Sequence, residues 1–198
     1  MDTPREDVTS RRLVRRGRQL EAATLSWNVV GVAVLAVAAI GAKSVALAGF
    51  GLDSVIEIGA SSVVLWELAG VDERRQQHAL KLIGVAFVAL GLYLAVQGTW
   101  VLAIGFRPHH SQLGIFWTGA TAVAMFALAA GKTKVGRELD NRVLTTEGRV
   151  TLVDAILATA VLVGLVLNSL LGWWWADPAA GYLILYYALR EAKGSFAH

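Results

Sequence analysis

Cysteine is absent from the 198-residue chain, so neither a disulfide framework nor a thiolate metal site is available to it. Charge is scarce as well: 17% of the residues are charged against 56% hydrophobic, and the mean hydropathy is +0.55. That balance excludes an ordinary water-soluble domain and points to an integral membrane protein. Catalytic patterns are also missing. There is no nucleophile paired with a base, no HExxH-type metal motif and no phosphate-binding glycine loop, so no enzyme is expected. A formal charge of +3 does not argue for nucleic acid here, because in a membrane chain lysine and arginine set topology. The opening stretch "MDTPREDVTSRRLVRRGRQLEAA" mixes acids with bases and has no short apolar core before a small-residue cleavage site. It is expected to be kept rather than removed as a signal peptide.

What is present is a series of apolar runs bounded by charge, at 23–42, 45–70, 79–104, 113–131, 150–171 and 179–189. Each is read as a helix, and most reach the ~20 residues that a bilayer crossing needs. The last is short, and Asp177 and Pro178 mark a turn at its start. The expectation is an all-α integral membrane fold, a bundle of six transmembrane helices. A basic tail (1–22) precedes a transmembrane unit (23–191), and a short tail (192–198) follows. Sixteen of the eighteen lysines and arginines fall on one side of this arrangement, and only Lys43 and Arg107 fall on the other. The positive-inside rule therefore places both termini in the cytoplasm, as an even number of spans requires. The expected location is multi-pass in the cell (inner) membrane, with the lipid bilayer as partner.

Arg11, Arg12, Arg15, Arg16 and Arg18 suit either a solvated positive-inside tail or a basic helix on an anionic leaflet. Trp173, Trp174 and Trp175 suit an aromatic belt at the outer interface. Gly84, Gly91 and Gly98, seven apart, form a smooth strip on which another helix can pack closely, within the chain or across a dimer.

Few ionisable groups remain inside the spans: Asp53 and Glu57 in the second helix and Asp154 in the fifth, with Glu147 about one turn before the fifth enters the membrane. A charged carboxylate at bilayer depth costs at least ~2.5 kcal/mol. Asp53 and Glu57 are four apart and so stack on one helical face, about 6 Å from each other. Ala60, Ser61 and Val64 continue that face. Counted from Val45, the pair lies roughly 12 and 18 Å deep, and Asp154 roughly 6 to 9 Å from the cytoplasmic side. Three carboxylates so placed, with no lysine or arginine of the spans beside them, cannot all stay ionised, and at least one is expected to hold a proton. A divalent cation would supply the missing charge, and trading two protons for one cation is what a proton-coupled exchanger requires. Asn28, Gln97, Thr151, Thr159 and Asn168 are read as interhelical hydrogen bonders. His109 and His110 are read as solvated loop residues.

Two stretches, "SVALAGFGLDSVIEIGASSVVLWEL" and "VTLVDAILATAVLVGLVLNSLLGWWWADPAAGYLILYYALREA", resemble helix two and helices five to six of the cation diffusion facilitator family. The resemblance is most specific at "DSVIEIGAS" and "GWWWADP". It implies a homodimeric exporter that exchanges Zn²⁺ or a similar metal for protons by alternating access, without a prosthetic group. The family's D-x-x-x-D pair falls on Asp53 and Glu57, and the last acid of its [HD]-x-x-x-D pair on Asp154. The remaining position is Val150, which cannot bind metal; Thr151, Glu147 or water would complete the set. Without the family's histidine the donors are all oxygen, which suits Mn²⁺ or Fe²⁺ beside Zn²⁺. The family's "HGK"-like segment is represented by His78 and Lys81, and its cytoplasmic domain is not expected after residue 198. The other outcome that the valine suggests is a non-transporting regulatory or assembly protein with a degenerate metal site.

Overall fold

A computed structural model describes the backbone of residues 4–68 and 73–196; the side chains at 4–10, 60–68, 73–80, 83, 142–143 and 194–196 lie outside the description. The expected continuation of the acidic face at Ala60, Ser61 and Val64, and the expected role of His78, therefore fall outside the described residues. Six helices follow one another: α1 (Pro4–Ala42), α2 (Val45–Leu68), α3 (Glu73–Ile104), α4 (Gln112–Glu138), α5 (Arg142–Leu171) and α6 (Ala176–Phe196). No strand occurs among the described residues. Four stretches, Arg11–Ala42, Gly84–Ile104, Gln112–Glu138 and Leu144–Leu171, are long and apolar enough to cross a membrane. Large apolar side chains such as Ile40, Leu92, Phe116, Val123 and Leu170 point outward, as a lipid-facing surface requires.

The helix ends follow from local chemistry. Ser111 and Asn141 cap α4 and α5, their side chains accepting from the N–H of Gly114 and Leu144. Gly172, at φ 65°, closes α5 in the left-handed conformation, its N–H bonding back to the Asn168 carbonyl. Between α4 and α5 only residues 139–141 are non-helical. The stretch 132–149, expected as a connection, is thus mostly helix. An apolar run ends at its first charge, whereas the i→i−4 hydrogen bonds that make a helix continue past it. For the same reason α6 begins at Ala176 rather than Ala179, and α1 runs unbroken from Pro4 through the expected tail.

Packing divides the helices into neighbours. The backbones of α4 and α5 touch: a Cβ on Gly148 would stand 2.9 Å from the Thr133 nitrogen, and one on Gly136 2.8 Å from the Thr145 nitrogen. α3 pairs with α6, where Gly91 faces Leu185 and Leu189, and Gly98 faces Tyr182. The glycine strip of α3 therefore receives a helix of the same chain. α2 is packed among α1, α3, α5 and α6. Leu35, Leu47, Phe50, Leu94, Leu157, Val161 and Ile184 fill the core around it. α2 thus buries Asp53 and Ser54 against other helices.

Candidate metal centre

The carboxyls of Asp53, Glu57 and Asp154 converge: each offers an oxygen, and these oxygens all lie within 4.8 Å of one another. Among the described residues this is where three potential ligands gather. Asp53 and Asp154 are buried, at 6% and 5% exposure, and Glu57 is half-buried. The helical repeat puts Asp53 and Glu57 on one face of α2, and that face meets α5. Asp154 meets them from α5, which starts at Arg142, so it lies about 18 Å along its own helix.

The Glu57 and Asp154 carboxyls are neighbours across the α2–α5 contact, with oxygens within 4.8 Å of each other. Ionised carboxylates are acceptors only, so such neighbours supply each other with no donor. Asn28 of α1 donates from Nδ2 to Glu57 Oε2 at 3.3 Å, joining a third helix to the site. Among the described residues no lysine or arginine forms an ion pair with the three acids. The arrangement is a concentration of acceptors in a largely buried place, short of positive charge, and a divalent cation has the complementary chemistry.

No protein-family model matches the chain. It is similar to Transmembrane protein 163 of Xenopus laevis, with 26% identity over 172 residues. The match covers 81% of this chain and 60% of that protein, so the chain spans less than two thirds of that protein's length. Together with the apolar helices, this likeness supports a helical membrane protein.

Val150 is 39% exposed and turns away from the bundle interior. The inward-facing residue of that turn is Thr151, at 1% exposure, whose hydroxyl donates to the Glu147 carbonyl at 2.9 Å. Thr151 and Thr159 bond within α5 and not across helices. Asn168 donates to the Pro108 carbonyl in the α3–α4 loop and not to another helix, and Gln97 lies exposed on α3. The side chains of His109 and His110 are exposed in the α3–α4 loop.

Two polar constellations were not legible in the apolar runs. Lys132 of α4, assigned to a loop by its charge, is 1% exposed, and its Nζ pairs with Glu21 Oε2 of α1 at 2.9 Å. It lies within electrostatic reach of Glu147 and Asp154. The second Glu21 oxygen is buried without a hydrogen-bond partner. Glu21 is seven residues before Asn28, so this layer lies about 10 Å from the acidic cluster along α1. The Asn141 cap three residues after Glu138 is the sequence signal that could have revealed this long α4–α5 hairpin. The other constellation is at the opposite end, where Asp177 of α6 is fully buried. Ser44 Oγ and the N–H of Val45 donate to its two oxygens.

Proposed function

We propose that the chain is a proton-coupled divalent cation transporter of the cation diffusion facilitator type. The observation that carries this is the meeting of Asp53, Glu57 and Asp154 inside the bundle, within 4.8 Å and without an ion-paired base among the described residues. The cation is cargo, held by one oxygen from each acid, with Thr151 or water completing an all-oxygen shell. Such a shell accepts Zn²⁺, Mn²⁺ or Fe²⁺. Cation binding displaces the protons that the cluster holds when empty, so protons and metal move in opposite directions. Six spans, with the Lys132 end in the cytoplasm, fit the distribution of lysine and arginine. Exchange follows from rocking of packed helix groups around a fixed site. The outward turn of Val150 also bears on the alternative of a decayed site. No ligand from that position is needed at the cluster, because the inner face of the turn belongs to Thr151.

The test is metal-dependent proton flux in proteoliposomes with Zn²⁺, Mn²⁺ and Fe²⁺, comparing the protein with Asp53→Ala and Asp154→Ala. Flux with at least one metal, lost in both variants, is the expected result. Absence of flux with every metal overturns the proposal and leaves the non-transporting regulatory or assembly role.

A further inference from the structure

The first turn of α2 is held from two sources. Ser44 Oγ accepts from the Leu47 N–H at 3.0 Å, which is an ordinary N-cap and satisfies the helix end locally. Asp177, 133 residues away in sequence, adds a second set. Its Oδ1 accepts from the Ser44 hydroxyl, and its Oδ2 from the Val45 N–H at 3.0 Å and, more weakly, the Ala46 N–H at 3.5 Å. The helix does not need this carboxylate to begin, so the extra bonds fasten α6 to α2. The two come close here, since a Cβ on Gly181 would stand 3.5 Å from Val45 Cγ1. α6 packs chiefly with α3 and α2 chiefly with α1, while α2 also rests on α3 and α6, so the bonds lie within the contact between α2 and the α3–α6 pair.

A cleft of about 400 Å³ opens on the same end of the bundle, between α1, α2 and α3. Lys43, Ser44, Ala48, Tyr93, Gln97 and Trp100 are among its walls. It descends as far as Ala48, which is about 7 Å short of Asp53 along α2. Phe50 and Leu94, at 3% and 1% exposure, fill the space below. At the other end Glu191 of α6 is exposed and within electrostatic reach of both Asp53 and Asp154. Buried apolar side chains thus separate the acidic cluster from the cleft.

We propose that Asp177 and the first turn of α2 form a latch that closes the outer end of a cation path, and that its release joins the cleft at Ser44 to the carboxylates. The latch rests on the reading of those carboxylates as a cation site. The α3–α6 pair swings from α2 when the three acceptor contacts are exchanged for water, and the cleft then deepens past Phe50. Leu47 keeps its bond to Ser44 Oγ throughout, so the helix persists while the interface opens.

The absence of cysteine makes the test direct. Ala46→Cys places the sole thiol at a residue 1% exposed beside the latch. In purified protein, its rate of reaction with a charged maleimide is expected to rise at least tenfold when Asp177→Asn is added. Ser44→Ala, which leaves the Asp177 contacts to the backbone, is expected to raise it severalfold and covers the case in which the Asp177 variant does not fold. Equal labelling rates in Ala46→Cys alone and in the Ser44→Ala background overturn the latch, whatever the protein transports. Separately, Val45→Cys with Gly181→Cys keeps both latch residues and permits a disulfide across the interface. Oxidation is expected to stop divalent cation flux in proteoliposomes and reduction to restore it. Flux that persists in fully oxidised protein also overturns the latch. If labelling responds as expected but the unmodified protein carries no cation, the latch stands as an opening device and the transport reading falls.

Discussion

Helix α2 carries two buried acidic sites about two turns apart, and they are built in opposite ways. At its first turn the Asp177 carboxylate is surrounded by donors: a hydroxyl and two backbone N–H groups. Two turns further on, Asp53, Glu57 and Asp154 face one another, with the Asn28 amide as the donor to Glu57. A buried charge that is matched by donors fixes a structure, whereas buried acceptors that outnumber their donors await a ligand. The same residue type serves as a fastening in one place and as a candidate receptor in the other. What separates them is the supply of N–H and O–H groups.

This contrast sets the expected effects of substitution. The largest is a reversal of sign. Asp53→Asn with Asp154→Asn removes clustered charge and is expected to raise the unfolding midpoint of the metal-free protein while abolishing any stabilisation by Zn²⁺ or Mn²⁺. Asp177→Asn is expected to lower the midpoint and to leave metal stabilisation in place. Unfolding in mixed micelles with and without metal measures both; a fall in metal-free stability in the double variant would put the two sites in one class.

The next effect concerns Lys132, a buried base paired with Glu21. Breaking a buried ion pair by removing one partner costs ~3–5 kcal/mol, and Lys132→Met is expected at the lower end of that range because Glu21 is partly exposed. Glu21→Gln combined with Lys132→Met is expected to recover most of the loss. A double variant no more stable than the single one would show that Lys132 answers to the acidic cluster and Glu147 more than to Glu21. The smallest effect is at the fastening itself. Ser44→Ala removes one cap and one Asp177 contact, and ~1 kcal/mol of stability is expected to go with them, measured by the same unfolding assay.

Much of the fold was visible in the apolar runs, because a chain that crosses a bilayer must satisfy its backbone within each helix. The α2 half of the site was visible as well, since the i, i+4 spacing of Asp53 and Glu57 fixes a common face without reference to any other helix. Asp154 was legible as a partner of that face. Lys132 was read as a loop residue because α4 was ended at its apolar boundary, whereas the helix runs to Glu138. Hydropathy marks where a chain meets lipid, but the α4–α5 hairpin continues as helix beyond that point through its own hydrogen bonds and the close contacts at Gly136 and Gly148. Charge alone suggested loop, although a buried partner such as Glu21 lets a lysine sit at 1% exposure inside a bundle.

The linear pattern was enough for an all-helical membrane chain and for one acidic face on α2, because periodicity and hydropathy are local properties. It was not enough for the pairing of α3 with α6, the Asn28–Glu57 contact, the inward turn of Thr151 in place of Val150, or the Asp177 fastening. Each of those depends on groups far apart in the chain arriving at one point, and side-chain contact across helices is set by packing, which no spacing within a single helix encodes.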